Sequence, residues 1–152
     1  MRKHRQRHLG RELALQWLFE IDVGGMKPDD AMAETTLGIE GMEALDGLGD
    51  EGIEYAKLLA RGVLANRAEI DDIIVKFARG WALDRIAAVE RNMLRLALFE
   101  ILHLPDVPDS VTVDEAVEIA KQYSTDESAK FVNGILGAYL RDEPEKPEKM
   151  TE

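Results

Sequence analysis

The sequence contains no cysteine. That excludes a disulfide framework, thiolate metal sites and a thiol nucleophile, and it fits a reducing compartment. No apolar run approaches the roughly 18–20 residues a membrane span needs, and the charged N-terminus is not followed by the apolar segment of a signal peptide. A soluble, unprocessed, cytoplasmic protein is expected. Histidine is also scarce: His4 and His8 suit one helical face, but His103 is far along the chain, so the third ligand of a typical metal site is missing. No serine or lysine stands in a recognisable nucleophile setting. The adjacent acids Asp71–Asp72 and Asp114–Glu115 point in different directions on a helix and do not make an acid/base pair. Internal repeats, coiled-coil heptads and a glycine-rich phosphate loop are absent. At 152 residues there is room for one ordinary domain and none for a separate catalytic one. These absences point away from an enzyme and from any metal or cofactor.

Acid is in excess. The net charge is -11, which taken alone repels a polyanion. Its distribution reverses that inference locally. Residues 1–11 carry Arg2, Lys3, Arg5, Arg7 and Arg11 with no acid, so that segment is +5 and the remainder carries -16. Screening over about 10 Å at 0.1 M salt lets such a segment act while a distant acidic body is hidden. Two readings are open for it, a solvated tail or a phosphate-binding arm. It precedes most of the first apolar stripe, so the fold is expected to stand without residues 1–8.

Hydrophobic spacing predicts helices throughout. Leu9, Leu13, Ala14, Trp17, Leu18 and Ile21 recur at steps of three and four, and Gly24-Gly25 ends that helix. Pro28 suits the start of a short helix, and the acidic, glycine-containing stretch over 38–52 reads as a loop. Ile53 to Leu64 and Ile70 to Phe77 form two stripes, divided where Asn66 and Glu69 offer a capping box and closed by Arg79-Gly80. Asp84 to Leu102 is the most apolar segment, a central buried helix in which Arg95 and Glu100 are read as structurally paired, the other reading being that Arg91 and Arg95, four apart, line a surface the helix leaves open. After Pro105 and Pro108, Thr112 with Glu115 makes a second capping box, with Val111 and Ala116 as a hydrophobic staple. Ser124, Thr125 and Asp126 supply caps for a last helix through Arg141, followed by a disordered acidic tail over 142–152. The expectation is an all-α bundle of about seven helices, with residues 1–141 forming a single domain.

A helical wheel singles out two faces. With Val132, Leu136 and Tyr139 centring the buried stripe of the last helix, Phe131 lies off it near Glu127, Gly134 and Ala138. There it either offers a flat face to an unpaired base or packs with Ile135 at the edge of the core. On the first helix Leu15 and Phe19 fall opposite Leu13 and Trp17, facing either a partner, which includes a second copy of the chain, or the other half of this protein.

Four stretches in order carry a resemblance: the basic arm running into RELALQWLFEID at 11–22, GVLANRAEID at 62–71, VERNMLRLALFEIL at 89–102 and VTVDEAVEIAKQYSTDESAKFVNGIL at 111–136. In combination they resemble the NusB family of transcription antitermination factors. The resemblance implies two small helical subdomains and recognition of boxA RNA of ribosomal RNA operons together with NusE, a small-subunit ribosomal protein. It also implies entry into the elongating RNA polymerase complex with other Nus factors. RNA contacts would fall on the arginine-rich N-terminus, here Arg5, Arg7, His8 and Arg11, and around the F-V-N-G helix, here Glu127, Lys130, Phe131 and Asn133. NusE would be met by Leu15 and Phe19 on the first helix and by the acids Asp84 and Glu90. The arm departs from the pattern, with His8 and Leu9 where the family often continues with arginines. Two other readings are the RNA-binding module of ribosomal-RNA cytosine methyltransferases, whose catalytic cysteines are lacking here, and a homo-oligomeric scaffold with no RNA role.

Overall fold

The computed structural model describes residues 2–33 and 46–142. Seven α-helices and one 3-10 turn account for the described residues, with no strand among them. The chain divides into two compact units, Met1–Leu64 and Ala65–Glu152. The tail expected over 142–152 lies outside the described residues except for Asp142, as does most of the loop expected over 38–52.

The first unit contains α1 (Arg2–Asp22), α2 (Pro28–Met32) and all but the last residue of α3 (Asp50–Ala65). The basic segment is not an arm ahead of the first helix but its opening turns. Every residue from Leu9 to Leu18 is buried, Arg11, Glu12 and Gln16 included. A helix apolar on one face would leave a polar face wet, and over residues 9–18 α1 leaves none. Leu15 is therefore not on an outward face: it is 0% exposed. Gly25, with φ +68, turns the chain after α1 in a conformation that favours glycine, and Pro28 opens α2 at its first position.

α3 buries Ala56, Leu59, Ala60 and Val63 on one face. Its start is held from α1: the Gln6 carbonyl oxygen accepts from the backbone N–H of Gly49 (2.8 Å) and Gly52 (3.1 Å), while the Gln6 amide donates to the Gly47 carbonyl at 2.9 Å. Helix starts leave N–H groups without intrahelical partners, and a side chain from another helix supplies one here. The backbones approach closely at the same place. A Cβ on Gly10 would stand 2.7 Å from the Gly52 carbonyl oxygen, so the approach requires glycine. Residues 1–8 thus include one side chain, Gln6, that holds the start of α3.

The second unit contains α4 (Arg67–Phe77), α5 (Ala88–His103), α6 (Asp109–Tyr123) and α7 (Asp126–Asp142). α5 is buried without interruption from Asn92 to Ile101 and packs against the other three helices. It begins at Ala88 and not at Asp84. Leu83–Arg85 form the 3-10 turn, and Ile86 and Ala87 are extended. The Arg91 guanidinium donates to the carbonyls of Leu83 and Ile86 and holds this entry. Both polar residues of the apolar segment have partners: Arg95 meets both Asp71 oxygens (2.8 and 3.2 Å) and the Asn92 carbonyl oxygen (3.0 Å), and Glu100 accepts from the Thr112 hydroxyl at 2.7 Å.

That last bond explains a failed expectation. α6 starts directly after Pro108, so Thr112 lies inside the helix and serves Glu100 instead of capping, and the Thr112–Glu115 box and its staple do not form. Asn66 occupies the N-cap of α4 but makes no side-chain capping bond, and Glu69 meets His103 at 3.3 Å. α7 does carry an expected cap: the Thr125 hydroxyl oxygen accepts from the Ser128 N–H at 3.0 Å.

Candidate nucleic-acid interface

The first two turns of α7 and the loop ahead of α5 build an open cleft. α7 buries Ser128, Ala129, Val132, Ile135 and Leu136, which turns Glu127, Lys130 and Asn133 to solvent and leaves Phe131 half-buried between the two faces. On the facing loop Gly80, with φ +82, ends the turn after α4, and the Trp81 N–H donates to the Ala78 carbonyl at 2.8 Å. Trp81 is thereby presented at 54% exposure, and its ring meets Phe131 edge to face, with centroids 6.4 Å apart and planes at 75°. The cleft, of roughly 500 Å3, is lined by Trp81, Glu90, Glu127, Lys130 and Phe131. Its polar rim is mostly internally engaged: Lys130 lies 3.7 Å from Glu127, and Glu90 accepts from the Ser128 hydroxyl, which also meets Ser124 at 2.7 Å.

Three of the four residues assigned to RNA on α7 share this cleft, and Asn133 is exposed on the same helix. Glu90, assigned to NusE from the resemblance, also lines it. Trp81 was missed. Its signal was an aromatic directly after the helix-ending Arg79-Gly80, where a core residue is not expected.

The basic set lies on α1 in the other unit. Arg5 is exposed and reaches the Asp46 carbonyl at 3.4 Å. Arg7 is half-buried, its guanidinium 5.2 Å from the centre of the Tyr55 ring, and with Lys3 it lines a cleft whose far side carries Asp50, Glu51 and Glu54. His8 is engaged with Glu12 at 2.7 Å, one turn on. Arg11 requires correction. It is 1% exposed, with its guanidinium 5.6 Å from the centre of the Tyr55 ring, so a phosphate cannot reach it. Tyr55 was also missed: nothing near it in the chain announces that two arginines of another helix stack on it.

The partner-facing set divides. Leu15 is buried and offers a partner no surface. Phe19 is half-buried toward the end of α1, and Asp84 is exposed on the 3-10 turn. Among the described residues no three His, Asp or Glu gather as a metal-binding group, and no helix is long and apolar enough to cross a membrane.

Residues 8–141 match the NusB family model. A transcription antitermination protein NusB of Symbiobacterium thermophilum is 51% identical over 89% of this chain and 89% of its own, and that of Bacillus licheniformis is 44% identical over 90% and 98%. Among solved structures, T. maritima NusB superposes with a TM-score of 0.77 at 35% identity, covering 93% of both chains. A structure of antitermination factors NusB and NusE in complex with double-stranded RNA contains a chain that superposes with a TM-score of 0.73 at 29% identity, covering 90% of this chain and 97% of that one. With a family match across nearly all the described residues and relatives of this identity over most of their length, the chain belongs to the NusB family.

Proposed function

We propose that this chain is a transcription antitermination factor that binds boxA-type single-stranded RNA of ribosomal RNA operons together with NusE. With other Nus factors it joins the elongating RNA polymerase. It works in the cytoplasm as an adaptor and not as an enzyme, with residues 1–141 acting as one RNA-binding domain. The observation that carries this reading is the aromatic cleft at the start of α7. Phe131 stands there half-buried beside an exposed tryptophan, with part of its ring open to the cleft, as a base-stacking platform requires. Arg5, Arg7 and the half-buried His8, with Lys3 beside them, supply phosphate contacts from α1, while Phe19, Asp84 and Glu90 are the partly or fully exposed residues that meet NusE. Arg11 and Leu15, both buried, serve the fold.

Substitution of Phe131 separates stacking from packing. Losing a stacking platform costs roughly 1–3 kcal/mol of RNA affinity, whereas truncating a core phenylalanine costs about 3–5 kcal/mol of stability. Phe131→Ala should weaken boxA binding measured with NusE present about tenfold or more and shift urea denaturation only slightly. Phe131→Tyr keeps the aromatic face and should retain most of the affinity. Phe131→Leu, with apolar volume but no π surface, should not. Recovery by leucine, or a large stability loss with RNA affinity unchanged, would return Phe131 to the core and remove the cleft from the RNA site.

A further inference from the structure

Trp81 forms one wall of the cleft, and the proposed function gives it no contact of its own. Its counterpart Trp17 is fully buried, as the cost of hydrating an indole favours, yet Trp81 stands more than half exposed on a loop fixed at both ends. On one side are Gly80 and the Trp81 N–H bond to Ala78; on the other is Arg91, holding the carbonyls of Leu83 and Ile86. An exposed aromatic on an anchored backbone is pre-positioned for a ligand, since little side-chain or loop ordering remains to be done on binding.

We propose that Trp81 is a second base platform, so that the cleft takes two unpaired bases of an RNA strand, one on Trp81 and one on Phe131, with the strand turned between them. This deepens the proposed function and rests on it. An edge-to-face pairing covers a face of only one of the two rings, and both rings keep exposed surface, Trp81 more than half of its own and the half-buried Phe131 less. Bases stacked on planes 75° apart cannot stack on each other, so the step between them is broken. Continuous base-paired duplex, whose successive bases stay parallel, does not fit. The rim agrees with bases and not phosphates entering. Glu90 and Glu127 line the cleft as acids that repel phosphate, and Glu127 can meet the N–H edge of a base, while Lys130, exposed beside Glu127, can reach the backbone.

The test labels the chain's two tryptophans with 5-fluorotryptophan and follows both 19F resonances as unlabelled NusE and then boxA RNA are added, in single-stranded or fully paired form. The Trp81 signal, assigned with Trp81→Phe, should shift on addition of the single strand and stay in place with NusE alone or with duplex, the Trp17 signal remaining as an internal control. Trp81→Ala should weaken single-strand binding roughly tenfold, and Trp81→Phe should restore most of it. If Phe131→Ala weakens RNA binding while Trp81→Ala does not and its resonance is unmoved, this inference falls and the proposed function stands. An absence of RNA binding in every arm overturns both. A Trp81 shift with NusE alone, accompanied by loss of NusE affinity in Trp81→Ala, would assign the platform to the protein partner, and an equal shift with duplex would overturn the requirement for unpaired bases.

Discussion

Arg95 shows how one charge is accommodated in an apolar helix. Its side chain is almost wholly buried, and Asp71, from α4, meets it through both carboxylate oxygens, with Asn92 filling a third donor. Breaking such a pair from one side leaves a buried charge uncompensated, a cost of about 3–5 kcal/mol, whereas replacing both partners by apolar groups is far milder. Asp71 is part-exposed and also lies 3.5 Å from Arg67, so the lower end of that range applies. Asp71→Ala should therefore lose about 3 kcal/mol in urea denaturation, and Asp71→Ala with Arg95→Met should recover much of it. A loss below about 1 kcal/mol, the value of an exposed pair, would show that water reaches Arg95.

Between elements, the decisive contact of the first unit is Gln6 on the start of α3. Removing a helix cap costs about 1 kcal/mol, so Gln6→Ala should lower stability by about that amount, with Gln6→Asn, one methylene shorter, unable to restore it; unchanged denaturation midpoints would show that water substitutes for the amide. Neither Gln6 nor its target was legible, because the capping residue lies on another helix and no local motif encodes it. The same limit governed Asn66 and Thr112. Both sit in valid capping patterns, but the helix after Pro108 begins early enough to carry Thr112 into the interior, where Glu100 takes its hydroxyl. What periodicity could give, it gave: seven helices, the burial of α5, the off-centre position of Phe131 and the Thr125 cap. It misplaced Leu15, since a wheel gives direction along one helix and not what packs over the opposite face. It missed the Trp81 side of the cleft because that wall comes from a loop about fifty residues earlier in the chain.

For the whole molecule, the proposed binding of a polyanion has to be met by a chain of net charge -11. Of the cations on residues 1–11, Arg11 is buried, and Lys3, Arg5 and Arg7 are the described ones with some exposure. On single strands each phosphate contact contributes about 0.7 to the slope of log affinity against log salt. Arg5→Gln with Arg7→Gln should therefore flatten that slope by roughly 1.4, equally for boxA and scrambled RNA; an unchanged slope would assign the electrostatic attraction to another surface. These arginines are also carried on a helix that runs without a break into the buried residues Leu9–Leu18. A floppy tail would lose about 1–2 kcal/mol of backbone entropy for every residue it orders on docking. A segment already wound, and clamped to the next helix by Gln6, escapes that loss. RNA should then dock on α1 with no gain in helical circular dichroism, and the affinity contributed there should track the rigidity of the helix as closely as its charge.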